Sequence, residues 1–299
     1  MFRMTSGCSR PSFILKKLLL FLLLSAASGC ADDQQAEDSK YVPKKNVTYS
    51  LLGDSISTFE GYIPEGYIPF YTREMMDPAE TWWNQFAALS GWILLTNSSW
   101  SGSIAISYSS WHPAFSMTSD IRISDLSSVA VPNYVIILDG VNDWGYGLWD
   151  LGEYQPGTSD PDLSTFRGAY SYLVQRIKQR YPRTQVICCS ILPRNDGTGG
   201  LGHDVPNQKG WTLGEANASI RHIAGMTDSI YIDLTDCGLD ADYAKYTIEG
   251  LHPTAAGMTL IARDLWKDLL SALDGVGSPS SAVLPGDRSV SGFGGVIPE

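Results

Sequence analysis

A three-layer α/β/α domain around a five-stranded parallel sheet is the fold class that the sequence predicts. Apolar runs of strand length alternate with segments of helical period along residues 46–275. The run over residues 134–138 is apolar throughout, as a strand covered on both faces should be. No linker-like stretch and no internal repeat interrupts these residues, so one domain is expected rather than two.

The elements follow in order. Residues 47–52 read as the first strand, which Gly53 breaks, leaving Ser55 just past its carboxyl end. Residues 59–76 are rich in Gly, Pro and Tyr and show no period. Asp77, Pro78 and Glu80 supply an N-cap, a first-turn proline and a third-position acid, so a helix is expected from there through Trp83, Phe86 and Ala87 to Gly91. A second strand over 92–96 delivers Asn97-Ser-Ser-Trp100-Ser-Gly102. A short helix over 119–129 leads to the third strand, which delivers Asp139-Gly140-Val141-Asn142-Asp143.

Residues 144–165 read as an aromatic loop, and Phe166, Tyr170, Leu173, Val174 and Ile177 recur at helical spacing up to Pro182. A fourth strand over 185–192, a Gly-rich loop over 195–214, a helix over 215–226 and a fifth strand over 230–234 come next. A loop over 235–253 precedes a closing helix with Leu260, Ile261, Leu265, Leu269 and Leu273 on its apolar side. Residues 276–299 form a Ser-, Gly- and Pro-rich tail.

The 299 residues are 43% hydrophobic and 18% charged, a globular composition. Residues 1–29 carry Arg3, Arg10, Lys16 and Lys17 ahead of an apolar core too short to span a bilayer, the pattern of a secretory signal. Ala27-Ser28-Gly29-Cys30 resembles a bacterial lipobox, which would make Cys30 an acylated first mature residue and residues 30–45 a polar tether. The expectation is therefore an exported chain, lipid-anchored at the cell surface or in the periplasm, or otherwise secreted. The net charge is −11, and the basic leader contributes none of the acids. Such a body is a poor partner for nucleic acid or for an anionic membrane surface, so membrane attachment would come only through the lipid. Cys188, Cys189 and Cys237 form no paired motif and read as small buried hydrophobes. No metal-ligand spacing occurs, and Gly197-x-Gly199-x-x-Gly202 opens no helix, so neither a metal nor a cofactor is expected.

A serine hydroxyl becomes a nucleophile only with a base to take its proton and donors to receive the oxyanion. Ser55 lies at the sheet edge where α/β folds bind ligands. Gly, Asp and Ser are also ordinary turn residues, and Ser57 in the last position breaks the G-x-S-x-G elbow of α/β-hydrolases. Two further strand ends deliver a glycine and an asparagine to the same edge, and Glu249-Gly-Leu-His252-Pro253 puts a histidine before the last helix. In these four blocks, in this order, the chain resembles the SGNH (GDSL-type) hydrolases over residues 47–273. The resemblance implies their flavodoxin-like fold and an esterase that works through an acyl-enzyme. In it Ser55 is the nucleophile and His252 the general base, and the oxyanion donors are the Ser55 and Gly102 backbone N–H groups and the Asn142 amide. The family's usual Asp three residues before the histidine is Glu249 here, and Asp233, Asp236 and Asp242 are local substitutes for the carboxylate that orients the imidazole.

Aromatic residues crowd the loops expected at the rim: Tyr62, Tyr67, Tyr71, Trp100, Trp111, Trp144, Tyr146, Trp149 and Trp211. Flat rings suit sugar faces, and Trp100, Trp144 and Tyr146 are the candidate substrate contacts, although rings in long loops also serve simply to pack them. The substrate expected is a small-molecule or polysaccharide ester, plausibly an acetylated carbohydrate. An acyltransferase on the same scaffold and a non-catalytic glycan-binding protein are the alternatives. Nothing in the sequence speaks to oligomeric state.

Overall fold

The computed structural model describes residues 46–108, 112–155, 160–195 and 204–276. The expected leader, tether and tail, together with Trp111 and the glycines of 197–202, lie outside the described residues. Five parallel strands form one sheet in the order β2-β1-β3-β4-β5: β1 Thr48–Gly53, β2 Ile93–Asn97, β3 Tyr134–Leu138, β4 Gln185–Cys189 and β5 Ile230–Ile232. This is the flavodoxin-like order, with its switch point between β1 and β3. The inner strands β1, β3 and β4 are buried almost end to end, as their continuous apolar runs require, whereas β2 and β5 are only half-buried edges.

The helices are α1 Trp82–Ser90, α2 Asp120–Asp125, α3 Val141–Tyr146, α4 Phe166–Arg180, α5 Leu213–Met226, α6 Tyr243–Tyr246 and α7 Ala255–Val276. α1 packs on α7, and α4 packs on α5, giving a helical layer on each side of the sheet. The core runs continuously from Tyr49, Leu51 and Phe86 through Ile136, Tyr170 and Ile187 to Ile261 and Leu265.

Several boundaries differ from the sequence expectation. The N-cap signals at 77–80 close a separate 3-10 turn, Pro78–Glu80, with a complete capping box. The chain restarts at Thr81 so that Trp82 and Trp83 are fully buried, their indole N–H groups donating to Ser57 Oγ and Ser57 O at 3.2 and 3.0 Å. α5 begins two residues early because Thr212 and Glu215 form a capping box. β4 and β5 end at Cys189 and Ile232, short of the expected 192 and 234. Inside expected loops lie α3, α6 and the 3-10 turn Leu239–Ala241, each too short to show a period. The three described cysteines are unpaired and buried, and burial pushes the thiols of Cys188 and Cys237 up to about 12 and that of Cys189 higher still.

Two helical glycines have opposite surroundings. A Cβ on Gly257 would meet Tyr246 O at 2.1 Å, whereas one on the exposed Gly225 would meet nothing within 4 Å. Gly257→Ala should therefore lower unfolding stability by about 1–3 kcal/mol. Gly225→Ala should raise it by about 0.5–1 kcal/mol, since it only removes backbone freedom. Urea unfolding of the two variants checks the opposite signs.

Candidate active site

The site begins at the carboxyl end of β1. Gly53 must be glycine there, because a Cβ would sit 2.6 Å from Ser57 Oγ. The Asp54 carboxylate then accepts from Ile56 N at 2.9 Å and caps the 3-10 turn Ser55–Ser57, which presents Ser55 with 4% of its surface exposed.

His252 arrives from a tight loop between α6 and α7. A bridge between Thr247 and Pro253 closes that loop, Ile248 N donates to His252 O at 2.8 Å, and Gly250 turns the chain at φ +87°. The folded loop sets His252 Nε2 2.9 Å from Ser55 Oγ, across 197 residues of sequence. The opposite ring nitrogen, Nδ1, hydrogen-bonds Glu249 Oε1, which also accepts from His252 N at 3.3 Å. Of the alternative carboxylates, Asp233 is ion-paired with Arg221, Asp242 accepts from Lys245 N in the α6 cap, and Asp236 is exposed. Glu249 is thus the carboxylate that the fold brings to the imidazole. Burial holds the His252 pKa below its ordinary 6.5, opposed by the Glu249 hydrogen bond and charge and assisted by the Arg194 charge.

The segments that carry the expected oxyanion donors meet at the end of β1, where Trp100 N and Ser103 Oγ donate to Gly53 O at 3.1 and 3.3 Å. Among the described residues, neither the Ser55 nor the Gly102 backbone N–H donates to a protein acceptor. Gly102 adopts φ +78°, a conformation that glycine takes without strain. Asn142 Nδ2 spends one hydrogen on Ser103 O at 3.0 Å, which fixes the amide and leaves its second hydrogen to donate. α3 as a whole staples this loop. Asp143 accepts from Ala105 N and Ile106 N at 3.0 and 3.1 Å, and the Tyr146 hydroxyl donates to Gly102 O at 3.1 Å. A serine, a base oriented by a carboxylate, and neutral donors around them form an arrangement suited to acyl transfer.

The expected stacking faces at Trp100 and Trp144 are corrected by their burial, at 5% and 7% exposure. Trp100 packs between Tyr67 and His112, and Trp144 lies under Arg194 with its Nε1 donating to Val205 O. Tyr71 and Trp211 are likewise buried, whereas Tyr146 and Tyr62 are 39% and 41% exposed. Long loops fold these rings inward because each buries a large apolar area.

Sequence reasoning missed Arg122 and Asp139. Fully buried, Arg122 donates from Nε to Ser98 O at 2.9 Å, from Nη2 to Gly53 O at 3.0 Å, and from Nη1 to Ala114 O and Phe115 O at 3.2 and 3.3 Å. Burial lowers its pKa only to about 10, so it remains charged. The buried carboxyls of Asp54 and Asp139 lie within its charge's reach, and Asp143 within theirs. Burial raises Asp54 to about 6 and Asp143 to about 7, and it pushes Asp139 well up with help from the charges of Asp54 and Asp143. Burial thus favours the neutral form of Asp139 beside Asp54. Arg122 between two isoleucines and an Asp directly after a buried strand are the local signals that could have drawn attention to them.

Removing the guanidinium would take a donor from four carbonyls and a positive charge from beside Asp54 and Asp139. Arg122→Met should lose about 3–5 kcal/mol of stability. Arg122→Lys should recover little of it, because a compact ammonium cannot reach four acceptors in a fork. Denaturant midpoints of the two variants provide the check.

Three comparisons bear on identity. Residues 47–194 match the family described as GDSL-like lipase/acylhydrolase. A crystal structure from Bacteroides ovatus, named a GDSL-like lipase, is 25% identical, with a TM-score of 0.58 over 76% of this chain and 100% of its own. A second so named, from Bacteroides uniformis, is 26% identical, with a TM-score of 0.57 over 75% of this chain and 95% of its own. A carbohydrate acetylesterase from Sinorhizobium meliloti shares the fold at 16% identity, with a TM-score of 0.53 over 76% of this chain and 100% of its own. No curated protein matches the chain. Its parallel sheet, its Gly-Asp-Ser turn and these likenesses agree: the chain belongs to the GDSL-like lipase/acylhydrolase, or SGNH hydrolase, family of ester-hydrolysing enzymes.

Proposed function

We propose that this chain is an exported serine esterase that removes acetyl or similarly short acyl groups from carbohydrate through an acyl-enzyme. The observation that carries the mechanism is the 2.9 Å contact of Ser55 Oγ with His252 Nε2, with Glu249 on the other ring nitrogen. The Glu249 carboxylate favours the tautomer with the proton on Nδ1, which leaves Nε2 as the acceptor. Ser55 Oγ attacks the ester carbonyl carbon as its proton passes to His252 Nε2. The oxyanion is received by the Ser55 and Gly102 N–H groups and the Asn142 amide. Collapse of the intermediate expels the alcohol, which takes the proton from His252. A water, deprotonated by His252, then attacks the acyl carbon and releases the carboxylic acid and free Ser55.

The substrate class has separate support. The Sinorhizobium meliloti neighbour is named a carbohydrate acetylesterase, and Tyr146 stands partly exposed beside Gly102, where a sugar face could rest against it. Export is supported by the basic and apolar leader over residues 1–29, and a lipid anchor by Cys30 in its lipobox-like setting.

A fluorophosphonate probe should label the wild-type chain at Ser55 and fail to label Ser55→Ala. Labelling that persists in that variant would remove Ser55 as nucleophile. Asn142→Ala should lower kcat about a hundredfold or more while the circular dichroism spectrum is unchanged. Because His252 must be neutral to accept a proton and burial holds its pKa down, kcat/KM should rise with pH along an acid limb whose midpoint lies below 6.5. Hydrolysis of p-nitrophenyl esters of increasing length, beside acetylated xylan, tests the substrate. Activity confined to long-chain esters would overturn the deacetylase reading.

A further inference from the structure

In the 59–76 segment, which shows no period in the sequence, the adjacent residues Phe70 and Tyr71 are bound one to the nucleophile's turn and the other to the residue after the histidine. Phe70 N donates to Thr58 Oγ1 at 2.8 Å, and Thr58 Oγ1 donates to Ser55 O at 2.9 Å. Glu60 N donates to Tyr71 O at 2.9 Å, pinching the segment closed. The buried Tyr71 hydroxyl donates to Pro253 O at 2.9 Å, one residue past His252. Between these anchors the Phe70 ring lies flat on the His252 imidazole, with centroids 3.5 Å apart and planes 8° from parallel. Tyr71 meets the same imidazole edge-on at 6.4 Å.

We propose that Phe70 is a positioning residue for hydrolysis, a flat platform that, tied through Thr58 to the Ser55 turn, holds the imidazole in the plane where Nε2 meets Ser55 Oγ. The inference rests on the Ser55–His252 reading above and deepens it. An imidazole fastened only by Glu249, on a side chain with 47% of its surface exposed, would keep freedom to rotate about that one hydrogen bond. A parallel ring at van der Waals distance removes the rotation. Because the platform's backbone is bound to the carbonyl of the nucleophile itself, the distance from platform to serine is set by two hydrogen bonds rather than by the whole intervening fold.

The platform also bears on protonation. The groups that face His252 are Glu249 from its own loop, Arg194 from the segment after β4, and the Tyr71 hydroxyl, already engaged with Pro253 O. An aromatic face attracts an imidazolium and so favours the charged form, whereas the burial it provides disfavours it. Burial is the largest influence on this histidine, and its direction is downward. Loss of the ring should therefore raise the His252 pKa.

The test uses the purified full chain with p-nitrophenyl acetate and the fluorophosphonate probe. Phe70→Leu keeps an apolar side chain without a flat face, and it guards against Phe70→Ala failing to fold. Both variants should lose roughly 10–100-fold in kcat with little change in KM, since a small displacement of a catalytic group has that effect. Fluorophosphonate labelling should slow in parallel, and the acid limb of kcat/KM should move to higher pH. Phe70→Tyr, which keeps the flat face, should restore both rate and limb. Wild-type kcat and an unmoved acid limb in Phe70→Leu would overturn the proposal, as would a Phe70→Tyr variant as impaired as Phe70→Leu. Ser55→Ala separates the two readings: if it is inactive while Phe70→Leu behaves as wild type, the platform alone fails, and if it retains activity the nucleophile assignment fails.

Discussion

The guanidinium of Arg122, sealed from solvent, donates to carbonyls of Gly53, Ser98, Ala114 and Phe115. It thereby fastens three stretches that share no strand pairing at those points. Gly53 lies two residues before Ser55, and Ser98 four before Gly102. The two backbone N–H groups proposed to receive the oxyanion therefore belong to loops gathered on one planar cation. An apolar residue could not replace it, because each carbonyl would lose a donor in a place that water does not reach. Arg suits the position through its five donors in a fixed fork and a charge that survives burial.

The same cation offsets part of the cost of burying carboxyls near the nucleophile. Coulomb attraction to Arg122 and a hydrogen bond from Ile56 favour ionisation of Asp54, and hydrogen bonds from Ala105 and Ile106 that of Asp143, while burial works against both. Burial raises all three acids, and the charges of Asp54 and Asp143 push Asp139 further in the same direction, toward its neutral form. A low dielectric at the floor of the site strengthens every dipole aimed at the serine.

The parallel sheet, the strand ends that deliver Ser55, Gly102 and Asn142, and the block that carries His252 were legible because they depend on local patterns: apolar runs, glycine breaks and four short blocks. The Glu249 carboxylate was legible as the favoured one of four candidates, because it holds the family's position three residues before the histidine, and the fold of the 247–253 loop is what brings it to the ring. Arg122, Phe70 and Asp139 act through neighbours distant in sequence, and no spacing announces that. The aromatic loops misled in one respect. Trp100, from a loop, and Trp144, from α3, pass for surface residues by the company they keep, yet both rings are buried where those segments pack onto the domain. α3 escaped notice because six residues between Gly140 and Gly147 are too few to establish a helical rhythm, although they carry Asn142, Asp143 and Tyr146.

The thiols of Cys188, Cys189 and Cys237 lie buried, with burial holding them in the protonated form. Only a thiolate reacts readily with alkylating reagents, so the folded domain is silent toward maleimides and iodoacetamide at neutral pH. That silence makes the domain a ready host for a reporter. A cysteine introduced at an exposed position such as Leu148, on the loop just beyond α3, would carry a fluorophore or spin label without competition from these three native sulfurs.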